Sequence, residues 1–150
     1  MTPQKSHSNV DVAALIARVV LGCWFVYSGG FKIFSSGLDR FTQDVANYQI
    51  VGPPLDVIAA FSVPWLELIA GVCLMLGILR RGAILTIASL VVVFCISIGW
   101  AWFHKLDISC GCHGTGAPIQ YWNKVFEFTG YVAVLAWLWW IEGRDEALSY

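Results

Sequence analysis

The stretch from residue 57 to residue 103 reads VIAAFSVPWLELIAGVCLMLGIL, then RRG, then AILTIASLVVVFCISIGWAWF. Only three residues, Arg80 to Gly82, separate the two apolar runs. The hydrocarbon core of a bilayer is about 30 Å thick and requires about 20 mostly apolar residues in a helix. The stretch therefore predicts two membrane-spanning helices that lie antiparallel because the turn between them is so short.

Two further stretches have the same character, and they extend the prediction to the whole chain. Only 13% of the 150 residues are charged and 58% are hydrophobic, whereas a soluble domain carries about 25% charged residues. We predict an all-α, single-domain integral membrane protein, a four-helix bundle whose main partner is the lipid bilayer. Its spans cover about residues 12–34, 57–79, 83–103 and 125–141. The basic residues form no stripe that could follow a phosphate backbone, so nucleic acid is not expected as a partner.

The distribution of positive charge predicts the orientation, since cytoplasmic loops carry an excess of lysine and arginine. An even number of spans brings both termini and the Arg80–Arg81 doublet to one end, and the long connections 35–56 and 104–124 to the other. The first end also has Lys5 and Arg144, with Arg18 reaching toward it, and the second end has Lys32, Arg40, Lys105 and Lys124. The totals are nearly equal, but the doublet is the denser signal. We predict cytoplasmic termini in a bacterial inner (plasma) membrane, with segment 104–124 periplasmic or extracellular.

The connection from residue 35 to residue 56 is long for a simple loop. Phe41, Val45 and Tyr48 recur in it at helical spacing. We expect a short amphipathic helix there, lying on the membrane surface.

The second long connection contains LDISCGCHGTG at residues 106–116, with two of the five cysteines. Cys23, Cys73 and Cys95 lie one in each of the first three spans, where a cysteine packs as a small hydrophobe. Cys110 and Cys112 instead lie among glycines in a polar segment. A disulfide between residues i and i+2 is near the upper limit of the usual Cα separation. Such a strained, exposed bond is readily reduced, which suits disulfide exchange better than a structural role.

Two alternatives to thiol redox chemistry remain open for the cysteine pair. The thiols can form a structural disulfide or stay inert. They can also bind a metal or haem together with His113 and His104, although C-x-C is shorter than the usual zinc spacing. We assign no metal site. If the pair is reactive, His113 would modulate it by stabilising a thiolate at Cys112.

Two charged residues lie within the predicted spans. Glu67 is near the middle of the second span, where an ionised carboxylate is costly unless it is paired. Arg18 is in the first span, and a long arginine side chain could reach part of the way toward it. We predict an intramembrane pair of Glu67 and Arg18, which either fixes helix packing or forms the polar point of a quinone or proton pocket near Tyr27, Ser28 and Trp65.

Three motifs resemble known membrane families. ARVVLGCWFVYSGGFKIF at residues 17–34 and PWLELIAGVCLMLGILRRGA at residues 64–83 resemble the first two helices of the DoxX-like family. CGCHG at residues 110–114 resembles the CGCFG of the MauE methylamine-utilisation family. His113 departs from that pattern, where an aromatic residue is common, and so does Ser109, where an acidic residue is frequent.

The resemblance implies a four-helix membrane protein that supports maturation of a disulfide-rich periplasmic dehydrogenase. Cys110 and Cys112 would be the redox pair, exchanging disulfides with a periplasmic client or a thioredoxin-like protein, and a quinone could accept the electrons. A second cysteine pair, found in thiol oxidases with a complete relay to quinone, is absent from the sequence. Two other functions fit the same features: a non-catalytic accessory subunit of a larger respiratory or dehydrogenase complex, and a DoxD-type quinone-linked oxidoreductase subunit with its chemistry at Glu67.

Overall fold

The computed structural model describes residues 9–106 and 121–147, and this part of the chain contains helices and no strand. The helices are α1 (Asn9–Gly30), which continues into a π-helical turn (Phe31–Ser35), α2 (Leu38–Asn47), α3 (Leu55–Leu76), α4 (Arg80–Phe103) and α5 (Tyr121–Ala147). Four helical segments are long and apolar enough to cross a membrane: Asn9–Ser35, Leu55–Leu76, Arg80–Phe103 and Trp122–Arg144. The prediction of an all-helical protein with four such helices is confirmed.

The turn between α3 and α4 lies three residues earlier than the sequence predicted. Gly77 takes a left-handed conformation with φ of 70°, and the amide of Ile78 donates to the carbonyl of Cys73 at 3.0 Å. This is the Schellman arrangement, in which a glycine ends a helix. Because the chain already reverses over residues 77–79, Arg80 and Arg81 belong to the first turn of α4, and the prediction that they form the turn is wrong.

Glycines bring α1 and α3 into close contact. A methyl group built on Gly29 would lie 2.6 Å from the carbonyl oxygen of Pro64, and one built on Gly22 would lie 2.7 Å from that of Gly71. Contact at these separations requires a glycine on α1, and at Gly22 and Gly71 both helices have one, as in other small-residue interfaces of membrane proteins. The SGG motif of residues 28–30 therefore acts through Gly29, since Gly30 has open space beside it.

Helix α2 is the amphipathic helix expected in the connection between the first two spans. It packs against α3, and its Phe41 side chain is buried with 4% of its surface exposed. This helix therefore covers the outer part of α3, with Phe41 directed into the protein.

The interior of the bundle is apolar, and so is most of its outer surface. Leu74, Ile87 and Leu138 are completely buried at the centre, while large apolar side chains such as Ile96 and Phe126 are exposed. An outer surface of this kind is suited to lipid, where apolar exposure carries no penalty.

Ion pairs show which helix ends lie together. Glu142, near the end of α5, contacts Arg18 of α1 at 2.7 Å and Arg80 of α4 at 3.5 Å. The beginning of α1, the α3–α4 turn and the end of α5 therefore lie at one end of the bundle, which we call the terminal end. Residues 35–55 and the connection from α4 to α5 begin and end at the opposite end.

The glycine interface predicts that two neighbouring substitutions will differ. Gly29→Ala places a methyl group against the Pro64 carbonyl, so the free energy of unfolding should fall by about 1–3 kcal/mol. Gly30→Ala meets open space, and because alanine is the better helix former it should leave the stability equal or slightly higher. Unfolding by SDS titration in mixed micelles measures both variants. Equal effects of the two substitutions would contradict the close α1–α3 contact.

Candidate functional site

A buried ion pair joins the first two spans. The ammonium group of Lys32 donates to both carboxylate oxygens of Glu67, at 2.6 and 2.7 Å. The hydroxyl of Ser28 donates to Glu67 Oε2 at 3.3 Å. The side chains of Lys32 and Glu67 are only 1% and 2% exposed. Both charges are thus neutralised within the protein, which removes most of the penalty for placing them among apolar groups.

Local structure brings the two side chains together. Ser28 and Lys32 are four residues apart and share one face of α1. Lys32 lies in the π-helical turn, where the amide of Ser36 donates to the carbonyl of Phe31 at 3.0 Å; such wide turns occur frequently at functional sites. Gly29, between the two residues, allows the backbone of α3 to approach, so that Glu67 reaches them directly.

Two aromatic rings enclose the lysine. The Lys32 ammonium lies 5.1 Å from the ring centre of Phe41 and 4.9 Å from that of Phe94. Cations are attracted to the faces of aromatic rings at such distances. Helices α2 and α4 thereby contribute to a site whose charges come from α1 and α3.

The predicted pairing of Glu67 with Arg18 is wrong. Arg18 bonds Glu142 at the terminal end, while Glu67 bonds Lys32 and Ser28. Arg18 precedes Lys32 by fourteen residues, which is about 21 Å along a helix, so its side chain cannot reach the level of Glu67. Lys32 was the missed residue. Two features of the sequence indicated that Lys32 would pair within the membrane. It lies inside the first predicted span, and it follows Ser28 by four residues, so both side chains share one helix face.

A second ion pair, also missed from the sequence, lies on α5. Lys124 donates to Glu127 Oε2 at 2.7 Å, and the hydroxyl of Tyr131 donates to Glu127 Oε1 at 2.6 Å. The three residues follow one face of the helix. Glu127 retains 28% side-chain exposure, in contrast to Glu67. The sequence indicated this pair through Glu127, an acidic residue within the fourth predicted span.

The two ion pairs line a common cavity of about 30 Å³. Its polar wall includes Ser28, Lys32, Glu67, Lys124 and Glu127. A cavity of at least about 10–15 Å³ with two or more polar partners can hold a water molecule. The cavity therefore has room for water between the Glu67 and Glu127 carboxylates.

A larger groove of about 1080 Å³ lies between α1 and α5, and we call it the α1–α5 groove. One side includes Cys23, Trp24 and Tyr27, and the other includes Glu127, Gly130 and Tyr131. Trp24, Glu127 and Tyr131 also line the small cavity, so they form a wall between the two spaces. Tyr27, which lines the groove, is 56% exposed, so the groove is accessible from the outer surface of the bundle.

The predicted reactive residues Cys110, Cys112 and His113 lie outside the residues that the structure describes. The described cysteines, Cys23, Cys73 and Cys95, are free thiols. His104, considered as a metal ligand with the cysteine pair, has Nδ1 at 3.0 Å from the carbonyl oxygen of Trp100. Its ring also stacks on the Trp100 indole, with ring centres 4.0 Å apart.

Comparison with known proteins identifies one family. Residues 10–141 match the family described as methylamine utilisation protein MauE. The match includes all four membrane-spanning helices almost completely, together with the segment that contains Cys110 and Cys112. No curated protein and no solved structure matches the chain.

Breaking the buried pair should cost more stability than replacing both of its members. Lys32→Met or Glu67→Leu alone leaves one buried charge without its partner, so each should lower the free energy of unfolding by about 3–5 kcal/mol. The double variant should recover most of that loss, because it leaves no such charge. SDS titration of the four proteins measures the coupling.

Arg18 provides the matched control for this cycle. Arg18→Met combined with Glu67→Leu should show additive effects, since distant residues without shared partners do not couple. Coupling between Arg18 and Glu67, or its absence between Lys32 and Glu67, would contradict the pairing.

Proposed function

The chain is a member of the MauE family of methylamine utilisation proteins, and on that basis we propose that it is a membrane-embedded thiol–disulfide redox protein. In this role it supports disulfide formation or maturation of a periplasmic partner. The observation that carries the proposal is the Cys110–Gly111–Cys112 motif, which occurs in the connection between two membrane-spanning helices. The family match and the four membrane-spanning helices describe a multi-pass membrane protein of methylamine utilisation, and to this we add the thiol chemistry.

The spacing of Cys110 and Cys112 favours disulfide exchange with a partner over a structural disulfide. A bond that spans one glycine closes almost no loop, so it restricts the unfolded chain very little. A cramped disulfide is also the more oxidising kind. A thiolate of a client or of a thioredoxin-like protein would attack this bond and form a mixed disulfide, which releases one loop cysteine as a thiolate. A second thiolate of the same partner would then attack the mixed disulfide, so that the partner leaves with a disulfide and both Cys110 and Cys112 are reduced.

Restoring the disulfide requires an acceptor for two electrons and two protons. A quinone dissolved in the bilayer has this chemistry and is available to a membrane protein from the lipid side. We therefore include a quinone as the terminal acceptor in the proposed function.

Chemistry centred on Glu67 is less well supported. The carboxylate accepts hydrogen bonds from Lys32 and Ser28 and is 2% exposed, so a ligand has no direct access to it. We propose that this pair fixes the packing of α1 and α3.

The ion pairs remove one basic residue from the charge count at each end of the bundle. The positive-inside rule counts charges in loops near the membrane, whereas Lys32 is paired with Glu67 and Arg18 with Glu142 within the helices. The orientation therefore depends on the Arg80–Arg81 doublet. We propose that the terminal end, with the Arg80–Arg81 doublet, is cytoplasmic and that the cysteine segment is periplasmic, in the bacterial inner membrane.

Thiol exchange predicts that loss of either cysteine abolishes oxidation of the client. Cys110→Ser and Cys112→Ser should each leave the disulfides of the periplasmic client unformed, measured by alkylation-shift gels of cells that produce each variant. Cys95→Ser is the matched control, because it makes the same chemical change within α4, and it should leave oxidation normal.

Two further outcomes separate the rival functions. Loss of oxidation with Glu67→Gln in a folded protein, but not with the cysteine variants, would support chemistry at Glu67. If deletion of the protein matters and none of the substitutions does, the protein acts as an accessory subunit and the redox proposal is wrong.

The orientation predicts selective labelling from outside the cell. After reduction, a maleimide that cannot cross the membrane should label Cys110 and Cys112 in cells with a permeabilised outer membrane. A cysteine introduced by Ser149→Cys, in a variant with both native loop cysteines replaced by serine, should react only after the inner membrane is opened. The reverse pattern would place the termini outside.

A further inference from the structure

We propose that the α1–α5 groove is the binding site for a lipid-soluble quinone. The inference rests on the proposed function, for which it supplies the site and the chemical class of the electron acceptor. The residues on which the inference rests all belong to the part of the chain that the structure describes.

The size and the lining of the groove fit a small aromatic ligand with an apolar tail. Ligand sites have volumes of about 300–1000 Å³ and are mostly apolar, with a few placed polar groups. The groove has about 1080 Å³, and apolar side chains of α1 and α5 form most of its walls. Since Tyr27 lines the groove and is exposed on the apolar outer surface, a molecule dissolved in the bilayer could reach the groove without crossing water.

The polar groups of the groove match both redox states of a quinone. Carbonyl oxygens of the oxidised ring accept hydrogen bonds, and hydroxyls of the reduced ring also donate them. The Tyr27 hydroxyl can donate or accept. The Tyr131 hydroxyl donates to Glu127 and can still accept, and the Glu127 carboxylate, which accepts from Tyr131 and Lys124, has further lone pairs. These groups come from the two opposite walls, so a ring between them could be held at both edges. A lipid acyl chain would use none of these groups.

The position of Glu127 also favours a ligand. A carboxylate in the membrane-facing part of a protein is costly and is functional by default. Glu127 is six residues from the start of α5, which is about 9 Å along the helix. Cys112 precedes that same start by nine residues. The groove therefore has its polar groups near the end of the bundle to which the cysteine segment is attached.

The reaction balances with these partners. As the Cys110–Cys112 bond forms, the dithiol gives up two electrons and two protons. The quinone takes up two electrons and two protons and becomes the quinol. The protons that the thiols release and the quinone takes up balance, so the reaction requires no other proton donor.

A second groove lies between α4 and α5, and we compare it with the α1–α5 groove as an alternative quinone site. It has about 390 Å³ and is lined by Gly99, Cys95 and Thr129, among others. The hydroxyl of Thr129 already donates to the carbonyl of Val125 at 2.7 Å. Among the residues that the structure describes, no charged side chain lines this groove, so we assign the quinone to the α1–α5 groove instead.

Two glycines permit a matched test. A side chain added at Gly130 or at Gly99 meets no atom within 4 Å, so leucine should be tolerated at either position. Gly130→Leu fills the α1–α5 groove, whereas Gly99→Leu fills the smaller groove. Thermal unfolding of both purified variants verifies that they remain folded.

The experiment measures binding of decylubiquinone to the purified protein in nanodiscs of quinone-free zwitterionic lipid. Quenching of tryptophan fluorescence gives the dissociation constant, and an azido-quinone probe followed by mass spectrometry identifies the contacted segments. Gly130→Leu should weaken binding at least about tenfold and Gly99→Leu less than about twofold, a difference of at least about 1 kcal/mol. Glu127→Gln should weaken binding severalfold, and crosslinks should fall in segments 17–27 and 126–134.

The site is overturned if the wild-type protein does not bind the quinone, if Gly130→Leu binds as tightly as wild type, or if crosslinks fall in the α4–α5 groove. Failure of the proposed function is distinguishable. If Cys110→Ser binds decylubiquinone normally but leaves client oxidation intact, the site stands and the thiol chemistry is wrong. If the cysteines are required for client oxidation but no quinone binds, the thiol chemistry stands and the site is wrong.

Discussion

A charged lysine and a charged glutamate within an apolar bundle set the main constraint on this protein. Each charge alone would cost at least about 2.5 kcal/mol near the centre of a bilayer, so they must meet. Their meeting requires that α1 and α3 approach until backbone touches backbone, which Gly22, Gly29 and Gly71 allow. Such a pair contributes little net stability, but it penalises other packings strongly. A shift of α3 by one turn along α1 would separate Lys32 from Glu67, so the pair selects one register.

The rest of the bundle is arranged around this contact in an unequal way. Helix α2 packs against α3 and adds Phe41 beside Lys32, and α4 adds Phe94. Helices α1 and α5 make few contacts with each other, and a groove separates them over several turns. One side of α1 is therefore closed by glycine contacts and an ion pair, and the other side is open to the surrounding lipid. A protein that needs both a fixed scaffold and lateral access for a membrane-soluble ligand can obtain both from this asymmetry.

The sequence predicts the elements of this fold well, and it predicts their relative depth poorly. The four apolar runs, the short α3–α4 connection and the helix around Phe41 all follow from hydrophobic periodicity. The Arg18–Glu67 pairing failed because it assumed that neighbouring helices begin and end at the same level. In the structure, the glycine contacts set Gly22 opposite Gly71 and Gly29 opposite Pro64. That register depends on which glycines touch, and the composition of a single helix does not reveal it. Lys32 lies near the end of the first predicted span and was therefore counted with the charges of the second end. Ser28, one turn earlier, indicated instead that Lys32 belongs to a polar helix face.

The difference in burial between the two ion pairs suggests why the bundle has both. Lys32 and Glu67 are almost fully enclosed, with 1% and 2% of their side chains exposed, whereas Lys124 and Glu127 retain 14% and 28%. An enclosed pair can hold helices together but cannot meet a ligand, because its hydrogen-bonding positions are occupied and covered by rings. A pair at the wall of a groove can exchange a partner for a ligand, since one side of its carboxylate is accessible. Glu127 also lies six residues from the start of α5, the end of that helix to which the segment with Cys110 and Cys112 is attached in the sequence. The two carboxylates thus line one small polar cavity but differ in access, and this difference is the reason that we propose a packing role for Glu67 and a ligand-binding role for Glu127.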